Sequence, residues 1–173
     1  MQAKFVYEAI GNIFKPKSEE EIMALLDDFD SDDLLYKSAE SGFLPGVKKA
    51  IENGADVHAS NNYVLRIASH NGHYDVVELL LVRGANVHAN DDYALQYASA
   101  NGHYNIVTLL LDNGANVHAT IDWPLRIASE NGNYDVVEIL LKHGANVHAG
   151  NDYALRFALA SGHRVVELLK RYM

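Results

Sequence analysis

The chain has 173 residues, 49% apolar and 21% charged, with a net charge of −9 and no cysteine. That length supports one domain with a substantial core; the lack of cysteine excludes disulfides and cysteine-rich zinc sites and is compatible with a reducing compartment such as the cytoplasm. An acidic chain with no basic block is a poor match for nucleic acid, whose phosphates are held by lysine and arginine, and no stretch approaches the ~18 apolar residues that cross a membrane.

Residues 1–30 stand apart from the rest of the chain. Met1–Phe5 lacks the basic-then-apolar layout of a secretory signal. Phe5, Val6, Ala9, Ile10 and Ile13 have helical spacing, Pro16 interrupts them, and Ser18-Glu19-Glu20-Glu21 opens a capping box for a second helix with Ile22, Leu25 and Leu26. The segment reads as an N-terminal helical extension. It either covers the first repeat or docks a partner through Phe5, Ile10, Ile13 and Phe14. Residues 1–40 hold 4 Lys/Arg against 10 Asp/Glu, so the acidic run from Asp27 to Asp33 is either a solvated junction or an attraction for a basic partner.

From residue 31 onward the chain repeats. GADVHA at Gly54–Ala59 returns as GANVHA at Gly84–Ala89, Gly114–Ala119 and Gly144–Ala149, and residues 61–90 and 91–120 agree at 18 of 30 positions. A fixed period of that length means one supersecondary unit stacked on its own copies. The units are 31–60, 61–90, 91–120, 121–150 and 151–173. In the third, Asp92 is placed to cap a first helix that runs to Asn101-Gly102, as Asn62, Asp122 and Asp152 are in other units. A left-handed stop at Gly102 leads to a second helix over Tyr104–Asn113, ended by Gly114. Its Ile106, Val107, Leu109, Leu110 and Leu111 cover more than one face, as a helix clamped between two neighbours requires.

The unit 31–60 is a degraded copy with Lys48 and Lys49 at apolar positions, which suits an end of the array. The last unit has a residue deleted after His163, and its polar end, Leu169-Lys170-Arg171-Tyr172-Met173, reads as a closing cap with no room for a further effector domain.

Several files of residues recur at the period. His58, His88, His118 and His148 cannot chelate a metal together, because stacked helices lie ~8–10 Å apart and zinc holds its nitrogens at ~2.0–2.1 Å. They read as braces of the return turn, which acid would loosen if the rings titrate near their reference value of ~6.5. Tyr63, Tyr93, Trp123 and Tyr153 open the first helices and suit packing between units better than base stacking. Three residues on, Arg66, Gln96, Arg126 and Arg156 either pair with nearby carboxylates and turn carbonyls or form a basic stripe for an acidic partner. No nucleophile stands beside a base, and there is no phosphate-cradling glycine loop, so no catalytic residue, metal ligand or cofactor site is expected.

The Gly-His turns at Gly72-His73, Gly102-His103 and Gly162-His163, the Pro-Leu start at Pro124-Leu125 and the V-x-x-L-L-x-x-G-A second helix make the chain resemble the ankyrin repeat family over residues 31–173. The thirty-residue units, worded DYALRxAS…GANVHA, look like the short ankyrin repeats of giant DNA viruses of amoebae. Relative to the family's usual period three residues are missing between Ala89 and Tyr93, so the hairpin finger should be a tight turn.

The resemblance implies an all-α solenoid of stacked helix-turn-helix units with shortened hairpins. It also implies a non-catalytic scaffold, monomeric and cytoplasmic, that binds another protein through its concave face. Carried over from the family, the partner-binding positions are Asn62, His70, Asn71, Asp92, Ala100, Asn101, Asp122, Glu130, Asn131 and Asp152. The alternatives are a viral antagonist that sequesters a host or defence protein, in the host cytoplasm, and a structural component that self-associates.

Overall fold

The computed structural model describes Leu26, residues 29–162 and residues 164–173. The expected helical extension over residues 1–30 lies outside the described residues apart from Leu26, Phe29 and Asp30, as does His163 of the last Gly-His turn. The described residues form ten α-helices and no strand. In chain order these are α1 (Ser31–Ser41), α2 (Leu44–Glu52), α3 (Ala59–Asn71), α4 (Tyr74–Val82), α5 (Ala89–Ala100), α6 (Tyr104–Asp112), α7 (Ala119–Glu130), α8 (Tyr134–Lys142), α9 (Ala149–Ser161) and α10 (Val165–Lys170). None is long and apolar enough to cross a membrane.

The chain divides into two compact units, one ending at Ala85 and one beginning at Asn86. In the first, α1 packs on α2 and α3, and α3 packs on α4. In the second, α5, α7 and α9 form one layer and α6, α8 and α10 the other, each odd helix packing on its neighbour and on its own partner. This is the expected stacking of helix pairs, and the core follows the period. Leu65, Leu95 and Leu125 of the first helices are fully buried, as are Val77, Val107 and Val137 and then Leu80, Leu110 and Leu140 of the second helices. Ala68, Ala98, Ala128 and Ala158 are buried as well, and their small side chains let neighbouring first helices approach.

Both predicted glycine stops are left-handed, Gly102 at φ +74° and Gly114 at φ +90°. The chain past them folds back onto the helices, with His103 N–H donating to Ala98 O and Ala115 N–H to Leu110 O, each at 2.9 Å. Pro124 lies in the first right-handed turn of α7, where a missing N–H leaves no hydrogen bond unmade.

The segment replacing the hairpin finger is unlike a simple tight turn. Residues 60–62, 90–92, 120–122 and 150–152 all hold positive φ, between 48° and 61°, so three successive residues make a turn of left-handed helix before the right-handed helix begins. Asn, Asp and Gly fill nine of these twelve places, and these residues tolerate the left-handed region best. Thr120 and Ile121 are the β-branched exceptions.

At the C-terminal end the expected polar cap is realised only in part. Lys170 and Arg171 are exposed, but so is Leu159, which occupies the register of the fully buried Ser129.

Candidate functional site

The left-handed turns aim one side chain per repeat inward, and this overturns the expected capping role of Asp92. At φ +58° its carboxylate does not cap its own helix; Oδ1 accepts instead from the Asn116 N–H, 24 residues on in the turn that closes the same repeat, at 2.9 Å. Asp122 does the same to Asn146 N–H at 2.7 Å, and in the first unit Asp32 does so to Asp56 N–H at 2.9 Å. The carboxamides of Asn86, Asn116 and Asn146 in turn accept from the N–H groups of His88, His118 and His148 at 3.0 Å.

The histidines brace these turns as expected. Nδ1 of His88, His118 and His148 lies 3.1, 2.9 and 2.7 Å from Oδ1 of Asp92, Asp122 and Asp152. A carboxylate only accepts, so Nδ1 carries the hydrogen in each of these pairs. Among the described residues no group of three or more His, Asp or Glu is placed to hold a metal ion.

The opposite, outward side of the first helices carries a different pattern. In the second unit the stripe at i, i+3, i+4 and i+7 reads Tyr93, Gln96, Tyr97, Ala100 on α5; Trp123, Arg126, Ile127, Glu130 on α7; and Tyr153, Arg156, Phe157, Ala160 on α9. Tyr93 and Tyr97 meet edge to face at 5.6 Å and are both exposed, while Tyr153 stacks on Phe157 at 4.0 Å. Arg126 lies between rings of two repeats, its Cζ 5.0 Å from the Trp123 centroid and 4.3 Å from that of Tyr153. Tyr153 donates its hydroxyl to Glu130 Oε2 at 2.9 Å; burial first, and then this bond, push the phenol above its ordinary pKa.

In the first unit Tyr36 stacks on Tyr63 at 5.4 Å, and Arg66 lies over Tyr63 and donates to Ser60 O at 3.2 Å. A hydrogen bond to Tyr63, and then burial, raise the pKa of Tyr36. Tyr63, Trp123 and Tyr153 thus pack between repeats and Arg66 meets a turn carbonyl, as expected, whereas Tyr93 meets Tyr97 of its own helix.

The ten predicted partner-binding residues fall into two groups. Asn62, Asp92 and Asp122 are only 6, 4 and 5% exposed; the two aspartates are occupied by the frame, so they are not an open recognition surface. Asp152, half-buried, makes the same histidine contact. The others lie at the ends of the first helices: His70, Asn71, Asn101 and Asn131 exposed, Ala100 and Glu130 half-buried. Of these, Asn71 and Asn131 donate to main-chain oxygens of the preceding repeat, Glu40 O and Ala100 O, at 2.9 and 2.8 Å. Outside that set, Tyr93, Tyr97, Trp123, Arg126 and Phe157 share the stripe with Ala100 and Glu130. Their signal was the aromatic residue with Arg or Gln three places on, repeated every thirty residues.

A family model described as "Ankyrin repeats (3 copies)" matches residues 22–121, and a second, "Ankyrin repeat", matches residues 122–152. No curated protein matches the chain.

Proposed function

The chain belongs to the ankyrin repeat family, whose members are in general non-catalytic protein-interaction modules, and from that premise we propose that it binds a partner protein through the outward stripe of its first helices. The observation that carries this reading is the composition of that stripe in the second unit. Tyrosine, tryptophan and arginine dominate the energetics of protein interfaces because they bury large area with few rotamers and a polar tip. Here Tyr93, Tyr97, Trp123 and Arg126 lie on adjacent helices, and the two tyrosines are exposed. The predicted positions Ala100 and Glu130 belong to the stripe, Asp152 directly precedes Tyr153, and Asn101 and Asn131 follow at the helix ends. Asp92 and Asp122 tie the turns beneath it.

The test is affinity capture from the native cell with the wild-type chain and with Tyr97→Ala/Trp123→Ala. The partner should be lost from the double variant and kept by Tyr104→Ala, which alters an exposed tyrosine on a second helix. Equal loss from both variants, or from neither, refutes the assignment of this face.

The thirty-residue wording of the repeats supports a narrower second reading, a giant-virus antagonist that sequesters a host or defence protein in the cytoplasm through the same stripe. Self-association is the competing structural role, supported by exposed Leu159 at the C-terminal end. Light scattering at two concentrations separates a monomeric binder from a self-associating chain.

A further inference from the structure

We propose that the second unit recognises an acidic segment of its partner, one carboxylate of which is held by Arg126 with help from Arg156; this rests on the stripe being the binding face. Arg126 is cationic at every physiological pH and has five N–H donors in one plane. The rings of Trp123 and Tyr153 cover its faces, and Gly150 lies against it, so close that a Cβ there would stand 3.3 Å from both Cζ and Nε. Its Nε is buried and meets no acceptor, and no ion pair or hydrogen bond engages Arg126 or Arg156 among the described residues. Glu130, one turn further along α7, is turned to the Tyr153 hydroxyl instead.

The arrangement therefore fixes a guanidinium by its faces and leaves its edge without a carboxylate. Lys37, Lys142 and Lys170 each pair with an acid on their own helix, whereas the acid nearest to Arg126 along α7, Glu130, is held by Tyr153. Planar donors held in this way match a carboxylate in a forked, two-bond geometry. The neighbouring Tyr97, Trp123 and Phe157 supply apolar surface for side chains flanking that acid. A lysine- or arginine-rich partner would meet two like charges at this point. The preceding repeat supplies the contrast within one chain, since Gln96 in the same register is uncharged and satisfied internally by Asp91 O and Thr120 Oγ1.

The test is selection of a random peptide-display library on the full chain, with titration of the enriched peptides. Peptides with a shared Asp or Glu beside an aromatic or aliphatic residue are expected. Changing that acid to its amide, or Arg126→Gln, should each weaken binding about 10- to 100-fold, the range for a hydrogen bond to a charged group. The two changes together should do little more than either alone. Arg126→Gln copies the residue of the preceding repeat, and circular dichroism verifies that it folds. Binders that Tyr97→Ala/Trp123→Ala abolishes but that share no acid, or that ignore Arg126→Gln, overturn this inference and leave the binding face standing. The absence of any binder sensitive to Tyr97→Ala/Trp123→Ala overturns both.

Discussion

Replacing Asp122 tests whether successive turns are fastened to one another by a carboxylate. Its Oδ1 accepts from Asn146 N–H at 2.7 Å and from His118 Nδ1 at 2.9 Å, with the residue only 5% exposed. In Asp122→Ala the amide loses a charged acceptor in a part-buried turn, a loss of about 1.5–3 kcal/mol. The imidazole is more than half exposed, finds water, and adds little. Alanine must also adopt φ +54°, a left-handed conformation that costs about 1 kcal/mol. The sum is about 2.5–4 kcal/mol.

Two companion variants separate the causes. Asp122→Asn keeps both an oxygen acceptor and the tolerance for positive φ that Asn62 shows at φ +55°, and should lose about 1 kcal/mol. Asp122→Gly removes the acceptor but suits the backbone, and should fall between the other two. Urea unfolding monitored by circular dichroism gives the stabilities, and hydrogen exchange at the Asn146 amide gives the local effect. Protection there should collapse in the alanine and glycine variants and persist with asparagine. An alanine variant within about 0.5 kcal/mol of the parent, with Asn146 still protected, refutes the fastening role.

Ile121→Asn should stabilise the chain by about 1 kcal/mol in urea unfolding, because Ile121 is 67% exposed at φ +59° and loses no packing. Gly150→Thr should destabilise by about 1–2 kcal/mol, since a side chain at φ +61° meets Arg126; adding Arg126→Gln should recover part of that by recreating the Gln96–Thr120 pair, seen as a favourable coupling in a double-mutant cycle. Ser99→Ala should be neutral or stabilising by up to about 1 kcal/mol, because the buried Ser99 Oγ has no hydrogen-bond partner. The raised pKa of Tyr153 favours the fold while the phenol is protonated, so that contribution is whole below the ordinary tyrosine value of ~10 and is lost as pH climbs through the higher folded value. Tyr153→Phe should flatten the alkaline loss of stability and remove one late-titrating tyrosine from the ultraviolet spectrum.

What the sequence disclosed was whatever repeats with the helical or thirty-residue period. Leu95, Val107 and Leu110 could be placed in the core, and Gly102 and Gly114 at the helix stops, because burial and left-handed glycine each leave a mark on residue type. The left-handed entry turn was less visible. Asn90-Asp91-Asp92 marks positive φ, but the same letters serve equally at a right-handed helix start. That ambiguity is why Asp92 and Asp122 read as recognition positions when they belong to the frame. Their register varies only between Asn and Asp, and either supplies an oxygen that can accept a neighbour's N–H. Variation that preserves an acceptor is the signature of a frame. The exposed stripe was unreadable for a related reason. Which side of α5 or α7 faces outward depends on the phase at which the right-handed helix begins, and the three residues before Tyr93 and Trp123 set that phase.

The same turn explains how recognition and stability are kept apart in this chain. The frame is tied by side chains at the turns: Asp92 and Asp122 accept from the N–H groups of Asn116 and Asn146 one turn further along, and Asn133 donates to Ser99 O and Ala100 O of the preceding repeat at 2.9 Å. None of these uses the aromatic or arginine positions of the outward stripe. The stripe meets Tyr153 of the next repeat through Trp123, Arg126 and Glu130, and it meets the following turn 24 residues on, where the two ends change together: Gln96 faces Thr120, whereas Arg126 faces Gly150. In the second unit the charged, stacked group thus appears where the following turn has given up its side chain, and the uncharged, internally bonded one where it has not. There the identity of this stripe position changes together with its partner 24 residues on, while the carboxylate fastening and the leucine core stay as they are.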